Sequence, residues 1–136
     1  MGAWGALAFD NDPANDWAYD LDGVADLSLV ESALADVEAV GDDYLELDVA
    51  SNALAATEVL ARLRGRPGYS NPYTAKVDQW VAAHPEQPSG ELVERATAVL
   101  DRIVTAPSEL RELWDETPTA EEWRRGVEDL RSRLVG

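Results

Sequence analysis

The sequence predicts an all-α protein: a single domain over residues 1–136, built as a bundle of six or seven helices with a short extended N-terminal arm. Three observations carry that expectation. Apolar residues recur at helical spacing in stretch after stretch, and most stretches open on a capping residue and close at Gly or Pro. Strand-like alternation is nearly absent, and only Ala3 to Phe9 reads as extended. A chain of 136 residues with 46% hydrophobic content and five Trp can bury one core without disulfides, and it has no Cys to form any.

Asp12-Pro13 reads as an N-cap followed by Pro at the first helical position, opening a short helix to about Leu21 that Gly23 closes. Ser28-Leu29-Val30-Glu31 is a capping box. It starts a helix whose Leu29, Val30, Ala33, Leu34 and Val37 share a face, ended by Gly41. Asp48 is placed to cap an Ala-rich helix running to about Arg64. Gly65 and Pro67 stop that helix, and Arg62, Arg64 and Arg66 gather near its negative end.

Residues 65–71 form a loop, and Asn71-Pro72 opens a fourth helix with Tyr73, Val77, Trp80 and Val81 as its stripe. His84 beside Pro85 sits where a histidine interacts favourably with a helix C-terminus. Ser89 begins a fifth helix with Leu92, Val93, Ala96, Val99, Leu100, Ile103 and Val104 inward. Pro107-Ser108 restarts a short one carrying Leu110, Leu113 and Trp114. Thr119-Ala120-Glu121-Glu122 is a second capping box, opening a last helix with Trp123, Val127, Leu130 and Leu134 on one side.

Charge divides the chain. Residues 1–61 hold fourteen carboxylates and no Lys, Arg or His; the first cation is Arg62, and all eleven basic residues follow. The net charge of −16 therefore falls almost wholly on the first half. Such a half repels nucleic acid and anionic membrane, so neither is an expected partner. The opening residues lack the basic segment and apolar run of a signal peptide, and no stretch approaches a membrane span, so the expected setting is the cytoplasm.

The densest cluster is Trp4, Asp10, Asn11, Asp12, Asp16 and Trp17, with Asp42, Asp43 and Glu46 further along. Hard divalent cations are held by several carboxylate oxygens, but this spacing does not match a calcium loop. Counted from Asp10, the third ligand falls on Ala14, the sharp-turn glycine on Asn15 and the closing glutamate on Leu21. Capping and the positive helix start account for these acids without a metal. An aromatic beside carboxylates also suits a cationic side chain, through ion pairing and cation–π attraction. No Cys–His pair, Gly-rich phosphate loop or Glu-x-x-His signature is present, so the sequence names no catalytic residue, metal ligand or cofactor.

Gly2-Ala3-Trp4-Gly5, Phe9-Asp10-Asn11-Asp12, Ala14, Asp16 and Trp17 resemble the opening of a bacterial domain-of-unknown-function family, number 4259. Tyr44-Leu45-Glu46, Ala53 to Val59, Gly65-Arg66-Pro67, Ser108 to Trp114 and Trp123-Arg124 are similar to its middle and tail. The resemblance implies a small cytoplasmic bacterial protein and brings no activity, ligand or catalytic residue with it. Where that family often carries a second glycine before Phe9, this chain has Leu7.

Three functions are compatible with these residues. The leading expectation is a non-enzymatic, acidic protein-binding module, of the immunity-protein or antitoxin kind, that docks a basic partner through Trp4, Asp10, Asn11, Asp12, Asp16 and Trp17 with Asp42, Asp43 and Glu46 as a polar rim. The alternatives are a divalent-metal-dependent hydrolase or small-ligand binder built on Asp10, Asp12 and Asp16, and a helical self-associating scaffold.

Overall fold

The computed structural model describes residues 8–9, 11–69 and 71–135. Seven helices follow one another: α1 (Asp12–Asp22), α2 (Ser28–Val40), α3 (Leu47–Leu63), α4 (Ala75–Ala83), α5 (Gly90–Ile103), α6 (Glu109–Asp115) and α7 (Ala120–Val135). Among the described residues there is no strand, and Leu45 and Ser108 form an isolated parallel bridge. The expected arm at residues 3–9 lies largely outside the described residues.

Helix α3 is the axis, touching α1, α2, α4, α5, α6 and α7. From Ala50 to Leu63 every residue but Asn52 is buried, so this helix is enclosed on nearly all sides. Its alanines let neighbouring helices approach, and the larger side chains come from outside: Trp17 and Leu21 from α1, Trp80 from α4, Leu100 and Ile103 from α5, Trp114 from α6 and Trp123 from α7. The expected inward stripes of α2, α5 and α7 are buried as spaced except at Leu29 and Val104, which are half-buried, Val104 lying just past the end of α5.

Several caps differ from expectation. Asn11, not Asp12, caps α1: its side chain accepts the Ala14 N–H at 2.9 Å, and Asp12 is the first helical residue. The Ser28 box does not form, since α2 has no side-chain cap bond; Asp26 Oδ1 accepts the Ser28 N–H instead, at 2.9 Å. Asp48 lies inside the first turn of α3, and the cap comes from across the fold, where Glu109 Oε1 accepts the Leu47 N–H at 2.8 Å. Local spacing does not reveal a cap supplied 62 residues away.

The fourth helix begins at Ala75 rather than at Pro72. Asn71 instead organises a turn, taking the Tyr73 N–H on its side chain, and this leaves Tyr73 46% exposed rather than on the buried stripe. Ser89 and Ser108, expected where α5 and α6 begin, serve as their caps, accepting from Leu92 N at 3.1 Å and Arg111 N at 3.4 Å.

Loops are fixed by long-range bonds. The Trp80 indole donates to Val24 O at 2.8 Å, and Gln87 donates to Leu63 O at 2.6 Å. Leu45 N donates to Pro107 O at 3.2 Å, and Glu109 N to Leu45 O at 2.9 Å, which joins the α2–α3 and α5–α6 connections.

Candidate functional site

Amphipathicity decides where the acids of the first half go. Helix α1 turns Ala14, Trp17, Ala18 and Leu21 into the core, which leaves Asp12, Asp16 and Asp20, spaced one turn apart, as an exposed stripe. Asp42, Asp43 and Glu46 are exposed on the α2–α3 connection. Asn11 serves the cap, donating Nδ2 to Ala8 O at 3.1 Å as well as accepting from Ala14. Trp17 is 5% exposed and packs in the core, with no partner for its indole N–H among the described residues. Trp4 and Asp10 lie outside the described residues. The aromatic that α1 presents at the surface is Tyr19, 64% exposed, with Lys76 Nζ 4.6 Å from its ring centroid.

The structure leaves this acidic surface uncompensated. Among the described carboxylates of the first half, only Glu38 and Glu58 form ion pairs. Glu38 meets Arg95 at 2.8 Å, and the Arg95 hydrogen bonds hold its carboxyl below the usual carboxylate range. Arg102 reaches the acidic α2–α3 connection but binds its backbone, donating to Gly41 O at 2.9 Å and Asp43 O at 2.6 Å. Two more of its bonds go to the carbonyls of Thr105 and Pro107. Beside this loop the Tyr44 phenol is pushed up by desolvation first, then by the charges of Glu112 and Glu109. The acidic rim therefore continues onto α6.

A second constellation lies inside. Glu58, 1% exposed on α3, is gripped by Arg133 of α7 through two parallel bonds, Nη1 to Oε1 at 2.7 Å and Nη2 to Oε2 at 3.0 Å. Arg62 stands one turn on, its Nε 3.4 Å from Glu58 Oε1 but without hydrogen-bond geometry there. Its other nitrogens go to Asp78 Oδ1 and the Tyr69 carbonyl, each at 2.5 Å. Arg133 also donates to Arg66 O at 3.1 Å and to Asp129 Oδ2 at 2.9 Å. Burial, the largest influence on Arg133, lowers its affinity for a proton. The bonds and charges of Glu58 and Asp129 outweigh it and hold the guanidinium above its ordinary value.

This network borders a pocket of about 130 Å3 lined by α3, α6 and α7 together with Ala8, Asn11 and Pro13 at the start of α1 and Gly68 and Tyr69 of the loop after α3. Leu47, Ser51, Leu54 and Glu58 face it from one side of α3, at positions i, i+4, i+7 and i+11. Trp114 of α6 and Trp123 of α7 form another wall, their rings 7° from parallel with centroids 6.2 Å apart. Glu58, Ser51 and Arg133 were not expected as site residues. For Glu58 and Ser51 the signal was available, since a polar residue on a helix that is apolar all round has nowhere to go but inward; Arg133, on a helix with one apolar side, carried no such signal.

His84 caps α4, with Nδ1 2.9 Å from the Trp80 carbonyl and its ring stacked on Trp80 at 4.6 Å. Among the described residues, no three His, Asp or Glu side chains converge as a metal site, and no helix is long and apolar enough to cross a membrane.

Fold and surface together define a small all-α protein with an acidic face. The family described as "Domain of unknown function (DUF4259)" matches residues 2–126, and the chain belongs to that family. Arg133 lies beyond the matched span. No curated protein and no solved structure matches the chain.

Proposed function

We propose that the protein is a non-enzymatic docking module of the cytoplasm whose acidic first half receives a basic protein partner. A toxin-neutralising role, of the immunity-protein or antitoxin kind, belongs to this class. The observation that supports the reading is the missing compensation: Asp12, Asp16, Asp20, Asp42, Asp43 and Glu46 are exposed, and none meets a cation among the described residues. Nearby cations are committed elsewhere, Arg102 to carbonyls and Lys76 to the Tyr19 ring. A surface of one sign speeds encounter with an opposite surface and sets its orientation.

The test is affinity capture from the native host followed by titration calorimetry with the purified partner. The expected partner is basic, binds with fixed stoichiometry and is released by salt. Asp12→Lys/Asp16→Lys/Asp20→Lys should weaken binding at least about tenfold at low salt, since each like-charge contact is penalised. Glu121→Lys/Glu122→Lys, exposed acids at the start of α7, should change it far less. A partner that is not basic, or binding indifferent to salt and to the α1 triple variant, would refute the reading.

A further inference from the structure

Given an acidic first half that receives a basic partner, on which this assignment rests, Tyr19 decides which cationic side chain is gripped. Along α1, Tyr19 follows Asp16 by three residues and precedes Asp22 by three, so the two carboxylates flank the ring on one side of the helix. All three side chains are exposed, Tyr19 at 64%, and neither carboxylate meets a cation among the described residues. Packing does not require the ring there, because Ala14, Trp17, Ala18 and Leu21 form the core side of α1. An exposed aromatic between carboxylates is a receptor for a cation, which it meets with its ring face and its neighbours' charge.

The chain itself seats a cation on this ring. Lys76 of α4 places Nζ 4.6 Å from the Tyr19 centroid, and it forms no ion pair among the described residues. It is the only lysine in a chain of eleven Lys and Arg residues. Arg62, Arg102 and Arg133 are each tied down by several hydrogen bonds, whereas Lys76 is held by the ring. An ammonium is a compact, strongly hydrated charge on a flexible stem. A guanidinium is less hydrated, stacks flat on an aromatic and forks onto a carboxylate. At an exposed position the hold of a cation on a ring amounts to about two- to fivefold in population. An arginine that also bonds Asp16 or Asp22 therefore outcompetes Lys76 for the ring.

We propose that Tyr19 is the anchor of the docking face: it takes an arginine side chain of the protein partner, flanked by Asp16 and Asp22, and Lys76 occupies the ring until that arginine displaces it. The face thereby selects arginine over lysine, a discrimination that charge alone does not make.

The test is a titration of the full chain at low salt with labelled hexaarginine and hexalysine peptides, equal in length and charge, followed by fluorescence anisotropy. Hexaarginine should bind at least about threefold more tightly than hexalysine. Tyr19→Ala should erase that difference, and Tyr19→Phe, which keeps the ring, should preserve it. Lys76→Gln should tighten hexaarginine binding about two- to fivefold. In the Tyr19→Ala background only the smaller part of that gain, due to charge, should remain, because the two residues act on one site. Tyr19 and Lys76 are both exposed, so these variants leave the core intact. Equal affinities for the two peptides, or an equal gain from Lys76→Gln with and without Tyr19, would overturn the anchor while the charge-driven docking stands. Failure of both peptides to bind, or binding unchanged by Asp12→Lys/Asp16→Lys/Asp20→Lys, would overturn the docking role together with the anchor.

Discussion

Replacing Arg133 by Met tests the central physical feature of the interior. Methionine keeps the length and apolar stem of the side chain but removes the two bonds, at 2.7 and 3.0 Å, that hold Glu58. The carboxylate is then left 1% exposed with only Arg62, whose Nε stands 3.4 Å away without hydrogen-bond geometry. Stranding one member of a buried ion pair costs about 3–5 kcal/mol. With about 2.1 cal/mol/K of unfolding entropy per residue, 136 residues convert that into a Tm drop of about 10–17 °C.

Glu58→Leu should cost roughly half as much, because Arg133 keeps Asp129 and the Arg66 carbonyl while Arg62 keeps Asp78 and the Tyr69 carbonyl. The double variant Glu58→Leu/Arg133→Met should recover most of the loss. Urea unfolding followed by circular dichroism at pH 7 measures all of this. A loss below about 1 kcal/mol in Arg133→Met, or equal losses in the two single variants, would refute the reasoning.

Gly68→Ala should act on the same network, since a Cβ there would stand 2.6 Å from Arg133 Nε and 2.7 Å from its Cζ. The expected loss is about 1–3 kcal/mol by urea unfolding, and it should shrink in the Arg133→Met background, where the obstructing group is gone. Asn11→Ala should cost about 1 kcal/mol through the lost cap of α1, and Asp12→Ala only a few tenths through its exposed helix-start charge. A larger loss from Asp12→Ala in thermal unfolding would return the cap to Asp12.

Helix content and inward faces were legible because they follow from spacing alone. Leu92 through Ile103 and Trp123 through Leu134 repeat at helical period, and the structure buries them as read. What spacing missed is what the chain supplies from a distance. The cap of α3 comes from Glu109, and Arg133 fixes a carboxylate 75 residues earlier. Asn11 and Asp12 are both good capping residues one position apart, and only the backbone decides between them. Tyr73 fits a helical stripe, but the turn built by Asn71 holds it outside. Of the residues expected at the site, Asp12, Asp16, Asp42, Asp43 and Glu46 are exposed, while Asn11 and Trp17 serve the cap and the core.

The distribution of cations bears on why the acids are arranged as they are. Arg111 and Arg124 pair with Asp115, Arg131 with Asp101, and Arg62 and Arg133 meet at Glu58. Except for Glu38 and Glu58, these partners belong to the second half. If the acids served only to keep the chain soluble, they would have no reason to avoid cations near their own face, because a mixed surface is also soluble. Arg102 lies against the acidic loop yet bonds to four carbonyls there and in the neighbouring connection. An arginine that orders the loop through its backbone keeps Asp42 and Asp43 fixed in place without neutralising them. Preordered charge lowers the entropy lost on association, so that single arginine favours a docking surface over a merely solvated one.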